Sequence, residues 1–146
     1  MVNIKPFRGY RYNTQKVDAQ NVVSPPYDVI SDDLKKELTA RSPYNFVNIL
    51  INDDHNKANE LLNDFIDKDI IVRDDSESFY IYEQRYTMND ATFSRTGFVG
   101  LLKIEEFGEN VLPHERVFEK YVDERFDLMK KTKSDFGQIF FVYEDE

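Results

Sequence analysis

The chain has 146 residues, with 28 acidic against 19 basic side chains and a formal charge of -9; it is long enough for one domain with a real core, and too acidic for a phosphate-backbone partner, because no basic cluster exceeds Lys130-Lys131 with Lys133. Hydrophobic residues make up 40%, and 12 Phe and 9 Tyr supply aromatic core material, which excludes a disordered chain. The sequence has no cysteine, which excludes disulfides, thiolate zinc sites and a cysteine nucleophile and suits a reducing interior.

Residues 1 to 30 read as irregular, with one short strand at Asn21 to Ser24. Ser31-Asp32-Asp33 offers capping oxygens for a helix over Leu34 to Ala40, and Pro43 closes it. Phe46 to Ile51, "FVNILI", is apolar and partly β-branched, and predicts a strand. Asn52-Asp53-Asp54 caps a second helix, whose apolar positions Ala58, Leu61, Leu62, Phe65 and Ile66 fall on one face. That helix gives way to Ile70-Ile71-Val72, and Asp74-Asp75-Ser76 is a turn. Phe79 to Met88 alternates as a strand, Asn89-Asp90 turns, and Ser94 to Glu105 returns, which makes a hairpin. Gly108 turns again, and Val111 to Phe118 is irregular or a short strand. Asp123 to Lys131 predicts a helix carrying Phe126 and Met129. Gln138 to Tyr143, "QIFFVY", reads as a last strand, and its lack of alternation predicts burial on both faces.

The expected class is α+β: a mixed, mainly antiparallel sheet with a β-hairpin and about three helices packed against it. No run of about 18 apolar residues and no N-terminal signal core are present, so a soluble, cytoplasmic protein without membrane contact is expected. A single domain is expected over residues 1–146. The acidic end Glu144-Asp145-Glu146 follows directly on a strand read as buried. The chain is therefore expected to be the N-terminal portion of a longer architecture, in contact with a C-terminal region.

Two stretches carry candidate chemistry. In Ser24-Pro25-Pro26-Tyr27-Asp28, each proline fixes its own φ and pushes the preceding residue to extended geometry. Tyr27 and Asp28 are thus held with little backbone freedom, which lowers the entropy cost of placing a reactive group. One reading is a rigid turn in which Asp28 caps the following helix and Tyr27 packs. The other has Asp28 as a general base or as a ligand to a Mg2+-nucleotide. In Pro113-His114-Glu115-Arg116, an imidazole next to a carboxylate can shuttle protons near neutral pH. Arg116, and Arg125 beyond it, can fork onto phosphate or carboxylate. The spacing lacks the second histidine of His-Glu-x-x-His, so no metal ligand is assigned. The alternative is a surface loop whose charges pair with each other.

His55 falls in the first turn of a helix and reads as structural, and Asp74-Asp75 lacks the pattern of a calcium loop. The face formed by Tyr80, Tyr82 and Tyr86 reads as core or sheet, since a base-stacking platform needs basic neighbours. The five glycines are scattered, and neither a glycine-rich phosphate loop nor a Gly-x-Ser-x-Gly elbow is present.

The stretches "KPFRGYRYN", "SPPYDVIS", "SPYNFVNIL", "YIYEQRYT", "RTGFVGLL", "LPHERVFEKYVDERFDLMK" and "GQIFFVY" resemble, in that order, the front part of the family named domain of unknown function 1015. Many members carry a downstream Gly-His-His-Arg motif and ParB-like annotations. This chain has no such motif, and Val117 stands where members often have Thr. Proteins of that ParB/sulfiredoxin fold include nucleotide-using enzymes and free-serine kinases, in which an acidic residue near the chain start is the base. The resemblance thus implies part of a nucleotide-dependent, small-molecule phosphotransferase. Asp28, His114 and Glu115 would be catalytic, and Tyr27, Arg116 and Arg125 would bind the ligand. Mg2+ with ATP, ADP or CTP would be the cofactor. A non-catalytic protein-interaction or regulatory domain is the alternative.

Overall fold

A computed structural model describes residues 2–108, 110–113 and 119–143. The described chain is α+β, and it divides into two compact units. The first comprises residues 1–10 and 73–116, the second residues 11–72 and 117–146.

The first unit is built on a hairpin of β4 (Tyr80–Met88) and β5 (Ala91–Val99), in register from Tyr80↔Val99 to Met88↔Ala91. Its two-residue loop is Asn89-Asp90, with φ of 50° and 61°. Left-handed φ at both loop positions matches the right-handed twist of the strands, and Asn and Asp tolerate it better than most residues. β1 (Ile4–Lys5) pairs antiparallel with β6 (Leu101–Leu102). The Tyr80 hydroxyl accepts from the Gly9 amide at 2.7 Å and donates to the Asp74 carboxylate at 2.6 Å. A Cβ at Gly9 would meet that hydroxyl at 2.8 Å, so a side chain there would push the Tyr80 ring away.

The second unit is helical. It holds α1 (Ala19–Val22), α2 (Asp32–Arg41), α3 (Val47–Leu50), α4 (His55–Asp67) and α5 (Glu119–Thr132). Most of β2 (Tyr10–Tyr12) and of β3 (Ile71–Arg73), which pair with each other, also falls in it. Ser31 caps α2, and Asp54 caps α4 by accepting from Asn56 and Lys57, as the acidic and hydroxyl residues ahead of each helix predict. The core joins Ile49, Ala58, Leu62, Phe65, Ile70, Ile71 and Leu128. Edge-to-face ring pairs surround it: Tyr44 with Phe65, Tyr12 with Phe46, and Phe46 with Phe136. Burial pushes the Tyr12 phenol pKa up, and the neutral hydroxyl donates to the Tyr44 carbonyl at 2.7 Å.

Several expected elements differ. The N-terminal 30 residues are not irregular, since they contain β1, β2, α1 and a 3₁₀ turn. Asn21 to Ser24 is not a strand, because Asp18 accepts from the Gln20 amide and starts the helical turn α1. "FVNILI" is not a strand either. The Asn45 carboxamide oxygen accepts from the Val47 amide at 3.0 Å and starts α3, which buries Val47, Ile49 and Leu50. A short apolar run has no period that separates helix from strand, so a local cap decides it. Gln138 to Tyr143 is neither a strand nor buried: Ile139 is 72% exposed and Val142 85%. Among the described residues the last helix spans Glu119–Thr132, longer than the expected Asp123 to Lys131. The expectation for Val111 to Phe118 lies partly outside the described residues.

Candidate functional site

The Pro-Pro segment is anchored from behind by Asn45. This side chain is wholly buried. Its amide nitrogen donates to the Asn21 carbonyl at 2.9 Å and to the Val23 carbonyl at 3.1 Å. The Phe46 amide donates to the Val22 carbonyl between them, at 2.8 Å. Three successive carbonyls are therefore satisfied immediately before Ser24-Pro25-Pro26.

Pro26 then leads, at φ -55° and ψ 144°, into a 3₁₀ turn over Tyr27–Val29. The turn is closed by bonds from the Val29 amide to the Pro26 carbonyl and from the Ile30 amide to the Tyr27 carbonyl. Ser31 supplies the side-chain cap of α2, so Asp28 does not have that task. The Asp28 carboxylate is exposed.

Tyr27 meets Arg125. The guanidinium carbon lies 4.5 Å from the ring centroid, a cation–π contact. Arg125 projects from α5 and donates to the Leu50 carbonyl at 3.0 Å, at the last residue of α3. Its other terminal nitrogen pairs with the Glu124 carboxylate. Its Nε is buried with no hydrogen-bond partner among the described residues. The arginine expected to fork onto a ligand thus has both terminal nitrogens bonded within the protein. Its position fixes Tyr27 relative to α3 and α5.

The structure brings Tyr27 and Arg125 into contact, and Asp28 follows Tyr27 in the chain. His114, Glu115 and Arg116 lie outside the described residues. No group of three or more metal-ligating side chains occurs among the described residues. Two shallow depressions are lined by residues 14–19 and by Asp32, Lys35, Lys36, Thr39 and Ala40, and neither includes Tyr27, Asp28 or Arg125.

One relevant residue, Asn45, and one pairing, that of His55, escape a reading of the sequence. Asn45 sits about twenty residues from the segment it anchors, and only its place in the Ser-Pro-Tyr-Asn turn marks it. His55 is largely buried and bonds through Nδ1 to the Asp127 carboxylate at 2.7 Å, a pairing across 72 positions. That hydrogen bond holds the Asp127 carboxyl below the usual carboxylate range.

The family model described as "Protein of unknown function (DUF1015)" matches residues 4–146, and the chain belongs to that family. No curated protein and no solved structure matches it. No helix among the described residues is long and apolar enough to cross a membrane.

Proposed function

We propose, with membership of that family as the premise, that this chain contributes part of a nucleotide-dependent phosphotransfer site acting on a small molecule, with Asp28 at its centre. One observation carries the reading: a turn braced from both sides presents an exposed carboxylate that serves neither as a helix cap nor in an ion pair among the described residues. Preorganisation is what a general base or cation ligand needs.

A single carboxylate is compatible with Mg2+, which binds through one or two carboxylates together with substrate phosphates. When bound, Mg2+ would neutralise the phosphate charge, and Asp28 would be its protein ligand. In the base role, Asp28 accepts the proton of a substrate hydroxyl. The hydroxyl oxygen then bonds to phosphorus, and the bond to the departing nucleotide oxygen breaks. Tyr27 and Arg125 hold the turn. His114, Glu115 and Arg116 lie outside the described residues and stay candidates from the sequence alone.

The test is calorimetry of the full chain with ATP, ADP and CTP in the presence of Mg2+. Binding that disappears in Asp28→Asn, with unfolding unchanged, supports the reading. Binding that is unchanged in Asp28→Asn refutes it. The second reading is a non-catalytic interaction domain, and the exposed apolar side chains from Ile139 to Tyr143 favour it. It predicts no nucleotide binding at all.

A further inference from the structure

We infer that Asn45 is a positioning residue for the Tyr27–Asp28 turn, acting through the backbone that leads into it. The inference rests on the proposed site only for what the turn carries; the mechanical claim stands on its own geometry.

Asn45 combines three bonds that point in different directions. Its Nδ2 holds the Asn21 and Val23 carbonyls, and its Oδ1 holds the Val47 amide. The side chain is therefore oriented by α3, and it transmits that orientation to the chain entering Pro25. A carboxamide is the group that fits here, because two donors and one acceptor are needed from one planar head. Asp would lose both donors, and Ser is too short to span both carbonyls while keeping the Val47 bond.

Beyond Val23 the chain is extended, and two prolines follow. With φ fixed at both prolines, few soft dihedrals separate Val23 from Tyr27. A displacement at Val23 is thus carried forward to the turn instead of being absorbed. The stiffness of the Pro-Pro segment and the burial of Asn45 belong to one device: the first transmits what the second sets. At the far end the Tyr27 ring lies on the Arg125 guanidinium, whose Nε is buried. That contact reports whether the turn is in place, because withdrawal of the ring would change the surroundings of both groups.

The experiment uses the full chain and nuclear magnetic resonance of the Asn45 side-chain amide, the Tyr27 ring and the Arg125 Nε–H. In the unmodified protein, the Asn45 amide protons should exchange with water at least about tenfold slower than those of exposed Asn89. Equal rates would overturn the inference without any variant. In Asn45→Ser, the Tyr27 and Arg125 Nε–H signals should shift or broaden. They should remain in place in Leu62→Ala, which weakens the same core without touching the turn. If Leu62→Ala moves those signals as much as Asn45→Ser does, or Asn45→Ser leaves them unmoved, Asn45 is merely structural.

Titration with Mg2+-ATP separates the two readings. Weakened binding in Asn45→Ser that is absent in Leu62→Ala supports positioning of a functional Asp28. Loss of binding in Asp28→Asn with wild-type affinity in Asn45→Ser keeps the site and removes Asn45 from it. If the unmodified chain binds no nucleotide, the proposed site fails, and the resonance result alone decides the mechanical claim.

Discussion

Two apolar runs of the second unit, "FVNILI" at Phe46 to Ile51 and "QIFFVY" at Gln138 to Tyr143, have similar composition and opposite fates. The first forms α3 and is buried, with Ile49 at 0% exposure. The second forms neither helix nor strand, and Phe140 is 53% exposed. What separates them is not hydrophobicity. The first has Asn45 to start its helix, Arg125 on its last carbonyl, and α4 to cover it. On the other side, packing continues past α5 to Phe136, whose ring meets Phe46 edge-on at 5.2 Å, and the exposed run begins after Gly137. Burial follows from the surfaces that meet a run, not from the run alone.

The contrast is sharpest in Ile49→Ala, which should cost about 2–5 kcal/mol by removing methyl groups from a filled core. The shift in urea midpoint measures it. A cost near zero would mean that α3 is not covered in solution. Arg125→Met should cost about 1–3 kcal/mol, since it removes a charged hydrogen bond to the Leu50 carbonyl and the contact with Tyr27. Its urea midpoint should fall, and amide protection at Ile51, which donates within α3, should fall with it.

A smaller effect joins the helices over the first run. His55 holds the Asp127 carboxyl below its usual range, so the folded state binds that proton less readily than the unfolded chain. The stabilisation is therefore complete above the ordinary carboxylate range and is lost as pH falls through the lowered value. Urea midpoints near about pH 7 and about pH 3 should differ less in Asp127→Asn than in the unmodified protein. An unchanged difference would assign the acid sensitivity to other groups.

The smallest effect is expected in the exposed run. Phe140→Ala should change stability by less than about 0.5 kcal/mol, the usual range for surface positions. If it costs as much as Ile49→Ala, the run is covered in solution and the contrast collapses.

Where local chemistry was strong, the elements were legible in the sequence. Ser31 and Asp54 marked the starts of α2 and α4, the spacing of Ala58, Leu62 and Phe65 marked a buried face, and Asn89-Asp90 marked the hairpin loop. The stiffness of Pro25-Pro26 and the adjacency of Tyr27 and Asp28 were legible for the same reason: φ restriction is a property of the residue itself. The α+β class followed from these elements together.

Partner choice was decided by the tertiary structure. No spacing rule links Asn45 to the Asn21 and Val23 carbonyls, Tyr27 to Arg125, or His55 to Asp127, since each pair meets only after the helices pack. The same holds for the two apolar runs. Hydrophobic burial is non-directional, so an apolar sequence states a need for cover without naming what supplies it. Caps, turns and periods act over a few residues and can be read directly, whereas the anchoring of the Asp28 turn spans a hundred positions and exists only in the folded chain.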